Sequence, residues 1–228
     1  MPKKTKAIKK TDRKKAWLKK VKPSAYEVET RDVNQTILIV SEGQTEKLYF
    51  KSFPVLTLTV QAVDLGGQSK QKLIDATDSI IKNSDKQYDE VWCVFDMDLK
   101  QGAKEYADFD NAIESGIAKN YNIAYSNDSF ELWFYLHYQY TDQKHLRQFY
   151  YKALSNFWNL NYEKDGKAYA FAKRIYIILE DDEKASQDEA IERAKRLFKA
   201  QNNLPFHQQN PVTKVYELVK VLNKNCRR

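Results

Sequence analysis

Four carboxylate side chains in this sequence each follow a short hydrophobic segment of the kind that forms a buried strand. They are Glu42, Asp96, Asp98 and Glu131. In an open parallel sheet the carboxyl ends of the strands share one edge, where ligands bind. Like charges that meet there repel each other unless a cation lies among them. Because no Cys or paired His lies nearby, the oxygen ligands favour Mg²⁺ or Mn²⁺, which can clamp phosphate oxygens and activate a nucleophile.

Each of these residues also has an ordinary structural explanation. Asp96 and Asp98 could cap a helix or lie in a solvated turn, and Glu131 suits the positive end of a helix dipole. Glu46 likewise suits the first turn of a helix. His137, alone on an aromatic helix face, is more often a buried core residue than a ligand. The set of carboxylates therefore favours a site more strongly than any single member does.

The hydrophobic segments that must position the carboxylates alternate with helical patterns, which is typical of a parallel α/β sheet. The sequence predicts strands at 36–40, 58–63, 91–95 and 123–125. It predicts helices at 45–53, at about 69–81 with Ser69 as the cap, at about 108–119, and at 130–137 with residues 126–128 as the cap. We therefore expect a parallel sheet flanked by helices, with the carboxylates at one edge.

Beyond residue 140 the strand signal fades and helical spacing takes over. Two predicted helices cover about 142–156 and 165–180. A third begins at the capping box of Ser186 and Glu189 and ends before Pro205, and a last one starts at Asn210-Pro211. Aromatic and basic residues interleave between 150 and 174, where they could stack on single-stranded nucleic acid or form the core of this helical part. We divide the chain into a basic tail (1–30), an α/β domain (31–140) and a helical extension (141–228).

The net charge of +7 is unevenly distributed along the 228 residues. Eleven of the 38 Lys and Arg residues, but one of the 31 Asp and Glu residues, lie in residues 1–22. Residues 23–228 therefore carry 27 basic and 30 acidic groups, so the body is slightly acidic. Mutual repulsion predicts a disordered tail that could bind nucleic acid without sequence preference, or one that serves only to keep the protein soluble.

The cysteine count and the lengths of the apolar segments exclude several classes of protein. Cys93 and Cys226 are too few for a disulfide scaffold or a four-ligand zinc site, so we expect a reduced, cytoplasmic protein. The apolar runs are strand-sized, and none is long enough to span a bilayer, so no membrane partner is expected.

Four motifs occur in an order that is similar to a known family. They are Ser41-Glu42-Gly43-Gln44-Thr45-Glu46 followed by Tyr49-Phe50, then Gly66-Gly67 with Ser69, then the segment from Asp89 to Asp98, and finally the segment from Ser126 to Trp133 with His137. This combination resembles the RloB-like family, whose members are associated with prokaryotic restriction and abortive-infection loci and are related to the Toprim nucleases. The resemblance is close from about residue 35 to 140 and looser beyond, and it includes the basic N-terminus.

The resemblance implies a Toprim-like, Rossmann-like fold and assigns roles to individual residues. Glu42 would act as general acid or base, while Asp96 and Asp98 would hold Mg²⁺; we include Glu42 among the metal ligands. Glu131 would be a family-specific addition near the metal, and Glu46 completes the catalytic set.

Two positions depart from the family pattern. Asp128 stands where the family usually has proline, which alters the loop before the aromatic helix or adds a carboxylate to the site. Leu99 stands where Toprim proteins often have a glycine after the Asp-x-Asp motif, which affects the metal geometry.

The function implied is that of an Mg²⁺-dependent (or Mn²⁺-dependent) nuclease that cleaves RNA or DNA as the toxic effector of an antiviral, abortive-infection system. The resemblance also implies a partner ATPase. Two alternatives are a non-catalytic nucleic-acid-binding or adaptor module and a nucleotide-sensing domain that uses the same acidic edge. The sequence leaves the oligomeric state and the activating signal open.

Overall fold

The hydrophobic segments form a five-stranded sheet in the computed structural model, which describes residues 35–65, 69–98 and 103–226. The strands are β1 (Ile37–Ser41), β2 (Leu58–Ala62), β3 (Glu90–Asp96), β4 (Asn122–Asn127) and β5 (Val212–Thr213). Their order across the sheet is β2-β1-β3-β4-β5. The first four run parallel, and β5 runs antiparallel to β4. The predicted parallel sheet is confirmed, and its neighbouring strands β1 and β3 bring their carboxyl ends together.

Helices flank the sheet on both sides within the described residues. They are α1 (Gln44–Lys51), α2 (Gln71–Lys82), α3 (Ala103–Ala118), α4 (Glu131–Leu136), α5 (Arg147–Trp158), α6 (Tyr169–Ala172), α7 (Ile175–Asp181), α8 (Gln187–Gln201) and α9 (Val215–Asn225). A π-helical turn (Tyr162–Gly166) follows α5. Among these described helices, none combines the length and apolar character needed to cross a membrane.

The strand β1 is apolar throughout because both faces of the sheet are covered. Ile37 and Ile39 point into a core formed with α1, α4 and the C-terminal helices, whereas Leu38 and Val40 point into a second core formed with α2 and α3. All four side chains are fully buried. The helices beyond residue 140 share the first core with the sheet, so the described part of the chain packs as one unit.

The structure corrects three predictions about element boundaries. Ser126 and Asn127 extend β4 instead of capping α4, because they pair with β5, where Ser126 Oγ lies 2.9 Å from Thr213 Oγ1. The last helix begins at Val215, since Val212–Thr213 before it form β5. The predicted helix at 165–180 is divided into α6 and α7.

Two further helix caps that were predicted from side-chain types have opposite outcomes. Ser186 caps α8 as expected, because its hydroxyl accepts a hydrogen bond from the Glu189 backbone N–H at 3.2 Å. The cap position of α2 is Lys70 and not Ser69, and it makes no side-chain capping bond. The predicted basic tail (1–30), the Gly66-Gly67 turn and Leu99 lie outside the described residues.

Truncation of a core residue in β1 tests this two-sided burial. Ile39→Ala removes methyl groups from a fully buried side chain, so the free energy of unfolding should fall by about 2–5 kcal/mol. Ile117→Ala removes the same atoms from a side chain on α3 that is 54% exposed, and it should change stability by less than about 0.5 kcal/mol. Urea denaturation measures both values, and equal losses would contradict the assigned core.

Candidate active site

A cleft of about 330 Å³ lies at the carboxyl ends of β1 and β3. All five carboxylates selected from the sequence line it, and three basic side chains join them. The acidic residues are Glu42, Glu46, Asp96, Asp98 and Glu131, and the basic residues are Lys70, Arg147 and Lys167. The parallel register places Ser41, the last residue of β1, opposite Val94 of β3. This register brings the residues that follow the two strands to the same edge, as the sequence predicted.

Glu42 is held at the end of β1 by both its backbone and its side chain. Its backbone N–H donates to the carbonyl of Val94 on β3 at 3.1 Å. Its carboxylate accepts a hydrogen bond from the ammonium group of Lys70, with Nζ 2.5 Å from Oε2. Lys70 immediately precedes α2, and its own backbone N–H donates to Asp108 at 2.6 Å. An acidic and a basic group therefore face the cleft side by side.

Arg147, the first residue of α5, joins Asp98 to Asp128. Its Nη2 lies 2.9 Å from Asp98 Oδ1, and its backbone N–H donates to Asp128 Oδ2 at 3.0 Å. Asp128 is 1% exposed, and its carbonyl accepts the backbone N–H of Asp98 at 3.4 Å. The Asp128 side chain therefore contacts Arg147, which lines the cleft, and does not itself line it.

Glu131, the first residue of α4, is buried and paired with groups from the helical half of the chain. Its Oε1 lies 3.2 Å from Lys167 Nζ and accepts a hydrogen bond from the Tyr162 hydroxyl at 3.3 Å. Lys167 also donates to the hydroxyl of Tyr151 at 2.5 Å. Burial disfavours the charged form of Lys167, but Glu131 and Tyr151 outweigh burial and raise its pKa to about 12. Lys167 therefore stays cationic.

Glu46 and Asp96 differ from the other three carboxylates because they form no ion pair within the described residues. Burial, together with the nearby carboxylates Glu131 and Glu42, raises the pKa of Glu46 to about 7. Burial and the charges of Glu46, Glu131 and Glu42 raise the pKa of Asp96 well above its usual range. Burial is the larger cause of both pKa shifts, and the like-charge repulsion expected from the sequence adds to it.

The position of Glu46 depends on the small size of its neighbour. Its carboxylate folds back over Gly43, where a Cβ atom would lie 1.9 Å from Oε2. Gly43 adopts an extended backbone conformation that any residue can adopt, so the requirement is one of space. The glycine of the Ser41-to-Glu46 motif thus allows the Glu46 carboxylate to lie over the start of α1.

The donor set of the cleft fits a hard divalent cation. Oxygen ligands from carboxylates are what Mg²⁺ and Mn²⁺ prefer, and the cleft holds five acidic side chains against three basic ones. Among the described residues, no three His, Cys, Asp or Glu side chains are already grouped as a ready-made metal site. An ion would have to compete with Lys70 for Glu42 and with Arg147 for Asp98.

In a comparison with protein-family models, residues 37–222 match the model described as RloB-like protein. The chain belongs to the RloB-like family. The match continues well beyond residue 140, so Arg147 and Lys167 lie in the matched region together with the carboxylates. Neither a search of curated proteins nor a search of solved structures gave a match.

Sequence reasoning missed Lys70 and Arg147 of the RloB-like cleft, and it included Lys167 only as one of the interleaved basic residues between 150 and 174. Lys70 directly follows Ser69, the last residue of the Gly66-Gly67 motif. Arg147 comes from the helical half and has no marker that separates it from the other 37 Lys and Arg residues. His137 does not line the cleft, because it follows the opposite end of α4, where it is 2% exposed.

The raised pKa of Glu46 gives this RloB-like protein a specific pH dependence. The folded protein binds the Glu46 proton more tightly than the unfolded chain, whose pKa is near 4.5. The stability that this proton contributes is complete below pH 4.5 and is lost as the pH rises to about 7. Glu46→Gln should therefore gain stability relative to the wild type across this range, and the gain should level off above about pH 7.

Urea denaturation of both proteins at about pH 4.5, 6 and 8 measures the difference. Asp85→Asn, which neutralises an exposed carboxylate in a loop, is the control and should show no such trend. A stability difference between Glu46→Gln and wild type that does not change with pH would show that Glu46 titrates normally.

Proposed function

We propose that this RloB-like protein is a metal-dependent nuclease with a Toprim-like fold that hydrolyses phosphodiester bonds in RNA or DNA. The observation that carries the proposal is the cleft in which five carboxylates and three basic side chains face each other at the edge of a parallel sheet. Carboxylates can hold a divalent cation, and basic side chains can neutralise phosphate oxygens. Phosphoryl chemistry uses both kinds of group.

Glu42, Asp96 and Asp98 are the residues that would hold the ion, Mg²⁺ or Mn²⁺. When bound, such an ion supplies positive charge to phosphate oxygens and lowers the pKa of a bound water. The carboxylates come from the ends of two hydrogen-bonded strands, so their backbone positions are fixed by the sheet. The backbone N–H of Phe130 favours the charged form of Asp96 and so opposes the rise in its pKa.

Glu46 and Glu42 are the two candidates for proton transfer. The resemblance assigns this role to Glu42, which is paired with Lys70. Glu46 has a pKa of about 7, so near neutral pH it can both accept and release a proton. In this scheme Glu46 exchanges the proton, while Lys70 and Lys167 contact the phosphate charge and Arg147 keeps Asp98 in place.

The biological role follows from the resemblance to the RloB-like family. A nuclease of this kind would act in the cytoplasm as the toxic effector of an antiviral, abortive-infection system, under the control of a partner ATPase. The basic residues of 1–22 would add affinity for nucleic acid.

Loss of one metal-binding carboxylate tests the catalytic proposal. Asp96→Asn keeps the side-chain size but removes the charge, so cleavage should fall by on the order of 100-fold or more. Cleavage is measured on a panel of labelled single-stranded and double-stranded RNA and DNA, with Mg²⁺, Mn²⁺ or EDTA. Asp85→Asn, exposed and outside the cleft, is the matched control and should cleave like the wild type. Equal cleavage by Asp96→Asn and wild type, or cleavage that EDTA leaves unchanged, would refute metal dependence at this site.

The basic side chains of the cleft are tested by the salt dependence of binding. Lys70→Met keeps most of the side-chain stem and removes the charge. If Lys70 contacts a phosphate, the variant should bind nucleic acid more weakly, and the slope of log affinity against log salt should fall by about 0.7–0.9. Lys86→Met, in an exposed loop, should keep the wild-type slope. Binding is measured in EDTA, and a thermal melt checks that each variant is folded.

A second candidate function, a non-catalytic nucleic-acid-binding or adaptor module, is supported by one observation. Three of the five carboxylates in the cleft are paired with basic side chains, which is also how a purely structural ion-pair network is arranged. This candidate predicts that binding survives in Asp96→Asn and that no tested metal produces cleavage. The cleavage and binding measurements above distinguish it from the nuclease.

A further inference from the structure

A pocket of about 530 Å³, which we call the flanking pocket, adjoins the cleft at the same edge of the sheet. Glu42 and Gln44 line both the cleft and the flanking pocket. Ser41, at the end of β1, pairs with β3 on the side of the cleft and with Ala62 of β2 on the side of the pocket. Because neighbouring strands lie about 5 Å apart, a polymer bound in the cleft would have its next residue close to the flanking pocket.

Tyr169, the first residue of α6, presents an exposed aromatic ring at the flanking pocket. It is 58% exposed, more than any other large hydrophobic side chain in the described ranges. Within those ranges its ring contacts no other ring and its hydroxyl makes no hydrogen bond. The other aromatic residues between 150 and 174 are buried in the core or packed against it. Of the interleaved aromatic residues, Tyr169 is therefore the one whose ring is open to a stacking ligand.

Two lysines lie opposite this ring, one helical turn apart on α1. Lys51 is exposed and Lys47 is half-buried, and both line the flanking pocket. Neither forms an ion pair with any residue that the structure describes. Glu42 and Asp64 also line the pocket, but Glu42 is paired with Lys70. The two lysines therefore outnumber the remaining acid, and their ammonium groups are available to phosphate oxygens.

One short segment of the chain connects Tyr169 to the cleft. Lys167, two residues earlier, lies 3.2 Å from Glu131 in the cleft, and α6 packs against α1. Gly166 lies directly against the Tyr162 ring, because a Cβ atom there would be 2.3 Å from Cδ2 of that ring. The segment is therefore anchored on both sides, so Lys167 is held in the cleft and Tyr169 is held at the flanking pocket.

From this geometry we propose that the flanking pocket binds the nucleotide next to the phosphate in the cleft, with its base stacked on Tyr169 and its own phosphate beside Lys47 and Lys51. The proposal rests on the proposed function, in which the cleft takes a phosphodiester. A base in a duplex must be unpaired and unstacked before it can stack on a side chain. The substrate class is therefore single-stranded nucleic acid, or a strand with an unpaired nucleotide beside the cleaved bond. Stacking accepts every base, so we expect little sequence preference here.

Two substitutions in the full chain test the stacking by fluorescence anisotropy in EDTA. The probes are a labelled single-stranded oligonucleotide and an abasic chain of the same length, which keeps the sugars and phosphates but has no bases. Tyr169→Ala should bind the oligonucleotide about tenfold more weakly and the abasic chain like the wild type. Tyr169→Phe keeps the ring and should bind both like the wild type. Phe149→Ala, which removes a 38% exposed ring outside the cleft and the flanking pocket, is the control.

Lys51→Met should affect both probes, because both carry phosphates. The slope of log affinity against log salt should fall by about 0.7 for each. Lys86→Met, in an exposed loop, should keep the wild-type slope. A duplex of the same sequence is the third probe, and Tyr169→Ala should bind it like the wild type, since it offers no unpaired base. A thermal melt checks that each variant is folded, and residues 1–22 are the same in all of them.

The proposal is overturned if the wild type binds no single-stranded oligonucleotide, if Tyr169→Ala binds it like the wild type or loses as much affinity for the abasic chain, or if Lys51→Met keeps the wild-type slope. Because no cleavage is needed in EDTA, the two proposals can fail separately. The expected result for Tyr169→Ala without cleavage under any metal would leave the flanking pocket as a binding site and refute the nuclease. Loss of cleavage in Asp96→Asn with unchanged binding by Tyr169→Ala would support the nuclease and refute the stacking site.

Discussion

Repulsion between carboxylates at the edge of the sheet is the constraint that organises this molecule. The parallel register of β1 and β3 brings Glu42 and Asp96 to the same edge, and the helices that follow add Glu46 and Glu131. Such charges are costly in a partly buried cleft unless they are paired, protonated or joined by a cation. The structure uses pairing for three of the five, and it raises the pKa of Glu46 and Asp96, the two without an ion pair in the described part of the chain.

The pairing of the cleft carboxylates with basic side chains also connects the two halves of the chain. Lys70 precedes α2, but Arg147 and Lys167 come from the region beyond residue 140, which the sequence presented as a helical extension. Both make contacts in the cleft, and Tyr162, on the π-helical turn, donates to Glu131. The helices that follow share a core with β1 and α4. The ion pairs and the core therefore depend on the same packing, so the cleft can form only when the helical half is folded against the sheet.

The sequence predicted the strands and side chains whose positions depend on local patterns, and it missed those whose positions depend on tertiary packing. The strands β1 and β3 were evident because burial on both faces makes them continuously apolar. By contrast, β5 has two residues and exists because β4 offers it an edge, where Ser126 meets Thr213. The same difference applies to the site. Carboxylates that directly follow strands can be placed by topology, whereas the position of Arg147 depends on how α5 packs, which no periodicity reveals. The sequence left open whether the interleaved aromatic residues stack on nucleic acid or form the core. In the structure, Tyr150, Tyr151 and Tyr162 are core residues.

The two ends of α4 carry buried titratable side chains in different charge states. At its start, Glu131 is favoured by the helix dipole, and Lys167 and Tyr162 contact its carboxylate, so a buried acid is stabilised. At its end, the dipole would favour a charged His137, typically by about 0.3–1 kcal/mol. Burial opposes this and lowers the pKa of His137 to about 4, so desolvation is the larger effect and the ring stays neutral. Glu131 and His137 lie within one motif of the sequence, but of these two only Glu131 forms an ion pair within the described residues, with Lys167, so one end of α4 holds a stabilised charge and the other a neutral ring.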